Sequence, residues 1–187
     1  ASDVYKRQTQ RALDTANFTV EKDALTLCGN GLDLCDRKMQ GLLLVRQQER
    51  AFTAETALEI PAAGTAGLTC YYDEHSYLKF GVGPEGLVLE EYAGYEAVSR
   101  QTAPLPASTS HVRLRVTAAD GQRHFAIQDG TDWHTLWSIP EPRYLTSEGL
   151  QCGKRFTGAM VGLYVHGASA VRFTDWSAVW SCPEEKR

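Results

Sequence analysis

Between Leu42 and Gly83 the chain reads LLLVRQQERAFTAETALEIPAAGTAGLTCYYDEHSYLKFGVG, and this stretch leaves little choice of architecture. Phe52, Ala54, Thr56, Leu58 and Ile60 share one parity, while Thr53, Glu55, Ala57 and Glu59 share the other. Side chains two apart on a strand point the same way, so this is a half-buried strand with one wet face. Leu42 to Val45 forms an apolar block in front of the polar Arg46-Gln47-Gln48. Pro61-Ala62-Ala63-Gly64 ends the alternating strand, because proline lacks the ladder N–H and glycine permits turn dihedrals. Ala66 to Tyr72 and Ser76 to Val82 are further strand runs, parted by Asp73-Glu74-His75. The pattern predicts an antiparallel meander.

The rest of the chain continues it. Phe18 to Val20 and Ala24 to Leu27 are short strand candidates upstream, and Gly86 to Tyr92 follows the Gly83-Pro84-Glu85-Gly86 turn. Ala103-Pro104-Leu105-Pro106 is a loop, since prolines that close together exclude a central strand. Val112, Leu114 and Val116 alternate with Arg113, Arg115 and Thr117 before Asp120-Gly121, a tight hairpin signal. Phe125 to Ile127 leads to a second such turn at Asp129-Gly130, and Trp133 to Trp137 returns. Ala159 to His166 and Val171 to Trp180 read as closing strands. No stretch of about twelve residues shows helical periodicity. About a dozen short strands with turns every ~8–12 residues imply an all-β sandwich or jelly roll.

Composition bounds the function. A chain of 187 residues is one domain by default, and can bury roughly 70% of its unfolded surface. The net charge of −4 argues against nucleic acid, whose binders carry a basic stripe. No apolar run approaches the ~20 residues a membrane span needs. The opening ASDVYKRQTQR lacks a signal-peptide core and reads as a partly non-native leader. The expected organisation is leader 1–17, β-sandwich 18–182 and tail 183–187. Cys28, Cys35, Cys70, Cys152 and Cys182 are odd in number, irregularly spaced and without a C-x-x-C. They are expected to be reduced structural thiols in a cytoplasmic protein. For an exported protein, a Cys28–Cys35 bridge is the alternative.

Chemistry is sparse. A jelly-roll glycanase needs two carboxylates ~5–9 Å apart. Glu55 and Glu59 lie four apart on a polar face, and Glu90-Glu91 point to opposite faces, so a solvated strand surface is expected and no catalytic residue is assigned. His124 and His134 could meet across the Asp129-Gly130 hairpin, but without a thiolate or carboxylate pattern no metal is expected. No cofactor motif appears either. Arg46, following four apolar residues, is expected to bury its stem and pair with Glu55 on the neighbouring strand. Trp133 with Trp137, and Trp176 with Trp180, share parity and suit filling between two sheets. Trp133 and the tyrosines around Asp73 (Tyr71, Tyr72 and Tyr77) are also candidate sugar-stacking rings.

Three segments together resemble a known family. Val45-Arg46-Gln47-Gln48 with Phe52-Thr53-Ala54-Glu55-Thr56, then Ala66-Gly67-Leu68-Thr69-Cys70-Tyr71-Tyr72, are similar to segments of the C-terminal concanavalin A-like β-sandwich of glycoside hydrolase family 43 β-xylosidases. One arginine stands for the usual pair. Phe125 to Trp133 resembles a Y-S-F-D-G-x-x-W pattern, and Phe156-Thr157-Gly158-Ala159-Met160-Val161-Gly162 resembles F-T-G-A-F-V-G, with Met160 in place of the second phenylalanine. In that family this loop brings an aromatic to the edge of the pocket of a five-bladed catalytic propeller. The resemblance implies an antiparallel concanavalin A-like sandwich that docks on such a propeller in cis. It also implies pocket-edge or docking roles for Phe156, Thr157 and Met160, and a xylo-oligosaccharide as the sugar in reach. The family's catalytic acids lie in the propeller, and nothing in this chain stands in for them. The competing readings are a stand-alone carbohydrate-binding module and a small jelly-roll glycoside hydrolase.

Overall fold

A computed structural model describes residues 7–8, 17–94, 96–106, 108–150 and 158–181. The strands, numbered along the chain, form two seven-stranded sheets. Edge to edge, the first is β1 (Arg7–Gln8), β4 (Leu42–Arg46), β13 (Met160–His166), β6 (Thr65–Asp73), β7 (Ser76–Gly83), β8 (Gly86–Ala93) and β9 (Glu96–Ala103). The second is β12 (Asp132–Pro140), β11 (Gln122–Asp129), β10 (His111–Ala119), β5 (Ala51–Glu59), β14 (Ala170–Ser181), β3 (Ala24–Cys28) and β2 (Phe18–Val20). Every pairing is antiparallel. The result is the sandwich that the turn spacing predicts.

Alternation decides which face of the second sheet turns inward. On β5, Phe52, Ala54, Thr56 and Leu58 are buried. Their partners across the ladder on β10 are Ala118, Val116, Leu114 and Val112, also buried. Directly opposed residues share a face, so two alternating strands in register make a continuous apolar surface. The Asp120-Gly121 turn that sets this register has φ of 51° and 73°. Both are left-handed, as a two-residue primed turn requires. Between the sheets Phe80 of β7 meets Phe125 at 5.4 Å and Trp137 at 6.0 Å, both edge-on. Trp137, Trp176 and Trp180 all pack against this core.

The first sheet departs from simple alternation. β7 is buried along its whole length, and β6 from Ala66 onward. The cause is the segment at 29–41, which lies over their outer face. Its Leu34 and Met39 pack with Leu42, Leu44, Tyr71, Tyr77 and Tyr164 into a second apolar cluster. β9 shows mostly exposed side chains and no inward apolar row. It is held as an edge strand by its ladder to β8. β1, inside the segment expected to be leader, pairs with Leu44 and Val45.

Candidate functional site

Three places concentrate polar chemistry. The first lies where β4 meets the start of β13. Phe156 and Thr157 fall outside the described residues. Met160 opens β13, half-buried, opposite Arg46 on one side and Tyr71 on the other. A cavity of about 380 Å³ opens beside it, lined by Arg46, Tyr72, Leu145, Thr146, Ser147 and Gly158. Gly158 has φ of 75°, and a Cβ on it would sit 2.7 Å from Nη1 of Arg46. The Gln47 N–H donates to the Ala159 carbonyl at 3.0 Å, tying the two segments together.

This corrects the expectation for Arg46. The residue is exposed and does not pair with Glu55. Its strand β4 and Glu55's strand β5 are consecutive in sequence but belong to different sheets. Glu55 stands opposite Arg115 on β10 and accepts from its Nε at 2.8 Å and its Nη2 at 2.6 Å. Arg113 approaches from the same strand at 3.7 Å.

That arginine pair belongs to the second place, the outer face of the second sheet. The Arg115 guanidinium lies 3.7 Å from the centroid of the half-buried Trp133 ring. Arg113 also reaches Asp175 at 3.9 Å. Asp175 has φ of 52°, at a register shift between Thr174 and Ser177. One face of the Trp133 ring is therefore taken by a cation. Glu59 lies 3.6 Å from His111, both exposed, so Glu55 and Glu59 have separate partners.

The third place was not anticipated. Lys79 sits inside the outer face of the first sheet at 1% exposure. Its Nζ donates to Asp33 Oδ1 at 2.9 Å and Oδ2 at 2.8 Å, and lies 2.9 Å from Glu90 Oε2. Glu90 Oε1 accepts from Arg100 Nε at 3.0 Å. The rings of Tyr92 and Tyr164 stand 5.4 and 6.0 Å from the ammonium. Burial favours the neutral amine, but Tyr164, Asp33 and Glu90 outweigh it and raise the lysine above its ordinary pKa. An open cleft of about 450 Å³ adjoins, lined by Thr65, Glu90, Arg100, Thr102 and His166 among others. The Lys79 ammonium sits between these two carboxylates and takes up the space a sugar ring would need, whereas glycoside hydrolysis needs two carboxyl groups flanking the sugar bond. The sequence did contain the signal: a lysine in the middle of the buried run Ser76-Tyr77-Leu78-Lys79-Phe80.

Tyr71, Tyr72 and Tyr77 are buried, none more than 2% exposed, and Tyr77 stacks between Tyr71 and Tyr92. Tyr71 and Tyr77 present no open ring face, while the buried Tyr72 contributes to the wall of the cavity beside Arg46. Cys28, Cys35 and Cys70 are free thiols; Cys152 and Cys182 lie outside the described residues. Burial raises the Cys70 thiol pKa, which keeps it protonated. Among the described residues no group of three or more His, Cys, Asp or Glu could hold a metal ion.

The buried phenols make one behaviour measurable. Burial pushes Tyr77, Tyr144 and Tyr164 upward, Tyr164 to about 12, and the Glu91 carboxyl that accepts from Tyr144 at 2.7 Å adds to that residue's shift. A raised folded-state pKa contributes stability that is complete below the unfolded value of about 10 and is lost as pH rises through the folded value. Alkaline titration should therefore unfold the domain from about pH 10 upward. Tyrosinate absorbance from these three rings should rise together with loss of near-ultraviolet circular dichroism. Full ionisation near pH 10 with the fold intact would contradict their burial.

Comparison with known proteins places the chain. The β-xylosidase of Bacillus subtilis 168 is 27% identical over 169 residues, which span 81% of this chain and 32% of that protein. The crystal structure of the GH43 protein BlXynB from Bacillus licheniformis superposes with a TM-score of 0.78 at 23% identity. That match covers 94% of this chain and 37% of the other. The xylan β-1,4-xylosidase of Bacillus halodurans C-125 gives 0.77 at 20% identity, again over 94% and 37%. The chain thus spans about a third of the length of these relatives. The family model described as the β-xylosidase C-terminal concanavalin A-like domain matches residues 6–176, and the chain belongs to that family.

Proposed function

We propose that this chain is the accessory sandwich of a β-xylosidase or α-arabinofuranosidase type of glycoside hydrolase. It docks on a catalytic propeller in cis and helps to close the propeller's pocket through the segment at Phe156, Thr157 and Met160, with no turnover of its own. The observation that carries this reading is the family match over nearly the whole chain, combined with relatives about three times as long. The carboxylates support it. Glu55 is held by arginines, and Asp33 and Glu90 share a lysine, which leaves the described residues poorly equipped for acid–base work.

The isolated chain should release no 4-nitrophenol from 4-nitrophenyl xyloside or arabinofuranoside above the buffer rate. A longer polypeptide that carries it should. In that polypeptide Phe156→Ala or Met160→Ala should lower turnover by about tenfold or more, because a misplaced pocket wall costs positioning. Turnover by the isolated chain that vanishes in Glu90→Gln would favour the small-hydrolase reading instead. Full turnover in both loop variants would remove the pocket-edge role.

A further inference from the structure

We propose that the cavity between β4 and the 158–159 segment is a carboxylate-binding subsite, taking the uronic acid group of an acidic xylan branch with the Arg46 guanidinium as anchor. For the source of that ligand the proposal rests on the accessory-domain reading; for its chemistry it rests on the cavity.

Arg46 stands apart from most arginines of the domain. Arg37, Arg100, Arg113, Arg115, Arg123 and Arg172 each have a carboxylate partner. Arg46 has no ion pair among the described residues, and it lines an open cavity of about 380 Å³. Its planar fork matches a carboxylate through two parallel hydrogen bonds, which a lysine cannot reproduce.

The surroundings keep that fork accessible. Gly158 carries no side chain where a Cβ would stand 2.7 Å from Nη1, and its φ of 75° suits glycine. The Thr146 hydroxyl donates to the Arg143 carbonyl at 2.7 Å and accepts from the Gly149 N–H at 3.1 Å, so this rim is fixed before any ligand arrives. The exposed Ser147 and the buried Leu145 complete this part of the lining. The volume is at the small end of the ~300–1,000 Å³ typical of ligand pockets, enough for one sugar residue but not a chain. With a net charge of −4 the protein has no general field that draws anions, so selectivity is assigned to Arg46, the cation among the described residues that lines the cavity. A hydroxyl-rimmed hollow of that size suits a sugar acid better than a flat protein contact.

The test uses the full chain with three probes: xylotriose, xylotriose carrying one glucuronic acid group, and a short Asp/Glu peptide. Nuclear magnetic resonance titration should show the Arg46 Nε–H and the Gly158 and Ala159 amides moving with the acidic sugar. Its affinity should exceed that of xylotriose by about tenfold, the scale of one charge-assisted hydrogen bond, and weaken with salt. Arg46→Gln should bring the acidic sugar down to the neutral level while leaving Tm unchanged, and Arg46→Lys should restore only part of the difference. Equal affinity for the two sugars, or undiminished binding by Arg46→Gln, overturns the proposal. Tighter binding of the peptide overturns the sugar assignment. None of these outcomes touches the accessory-domain reading, which is decided by turnover of the longer polypeptide.

Discussion

Cutting Lys79 back to alanine is expected to lower the unfolding free energy by about 3–5 kcal/mol, the usual cost of removing one partner from a buried ion pair. The ammonium is 1% exposed, and its partners Asp33 and Glu90 are 20% and 17% exposed. Without it, two carboxylates face each other across the outer face of the first sheet. Arg100 still reaches Glu90, but from a side chain that is 60% exposed and therefore well screened. Partial access of water to the carboxylates pulls the expected loss toward about 3 kcal/mol. Lys79→Met separates charge from packing, because it keeps the unbranched stem between Tyr92 and Tyr164. If the charge dominates, methionine and alanine should lose nearly the same amount in urea titration at neutral pH. Adding Glu90→Gln to Lys79→Met should then recover part of the loss, since one uncompensated charge disappears. A Lys79→Met variant as stable as wild type would show that the three charges contribute nothing net.

Lys79 also marks where sequence reading stops. Alternation identified β5 and β10 because each has one apolar neighbour and one face toward water, so period two is written directly into residue type. The Asp120-Gly121 turn was legible for a similar reason: its dihedrals are local, and few residues adopt them. β6 and β7 carry no such contrast, because the segment at 29–41 covers their second face. Within Ser76–Gly83 only Lys79 hints at that cover, and alone it reads as well as a wet-face residue, so Tyr71 and Tyr77 read equally well as core and as sugar platform. β9 is the opposite case, an edge strand held by backbone ladder bonds with little apolar burial, invisible to a pattern built on hydrophobicity. The Arg46–Glu55 expectation failed on topology. Consecutive strands usually neighbour one another, but here the chain crosses from one sheet to the other between Arg46 and Ala51. The register that gives Glu55 to Arg115 involves residues sixty positions apart, beyond any local signal. Family resemblance supplied what periodicity could not, the identity of the sandwich, because it rests on particular residues in order rather than on polarity.

Phe80→Ala should be the most damaging apolar truncation in the domain, costing about 3–5 kcal/mol. Phe80 is fully buried at the centre of β7, and its ring meets Phe125 and Trp137 edge-on across the gap between the sheets. Truncation removes the transfer energy of the ring and leaves a cavity. The flanking strands cannot close it readily, since β7 is laddered on both sides by β6 and β8. Two edge-on aromatic contacts disappear as well, each worth about 0.5–1.5 kcal/mol beyond area burial. For a chain of this length the loss corresponds to a fall in Tm on the order of 10 °C. Val98→Ala is the matched control: that side chain is 58% exposed on edge strand β9 and should stay within about 0.5 kcal/mol of wild type. Because Trp137 borders the new cavity, its fluorescence should change in Phe80→Ala even where the protein remains folded, and it should not change in the control. Phe80→Leu fills part of the space and should fall between the two. If Phe80→Ala melts within about 2 °C of wild type, the sheets must be able to collapse around the missing ring, and the rigid inter-sheet packing inferred from these ring contacts is wrong.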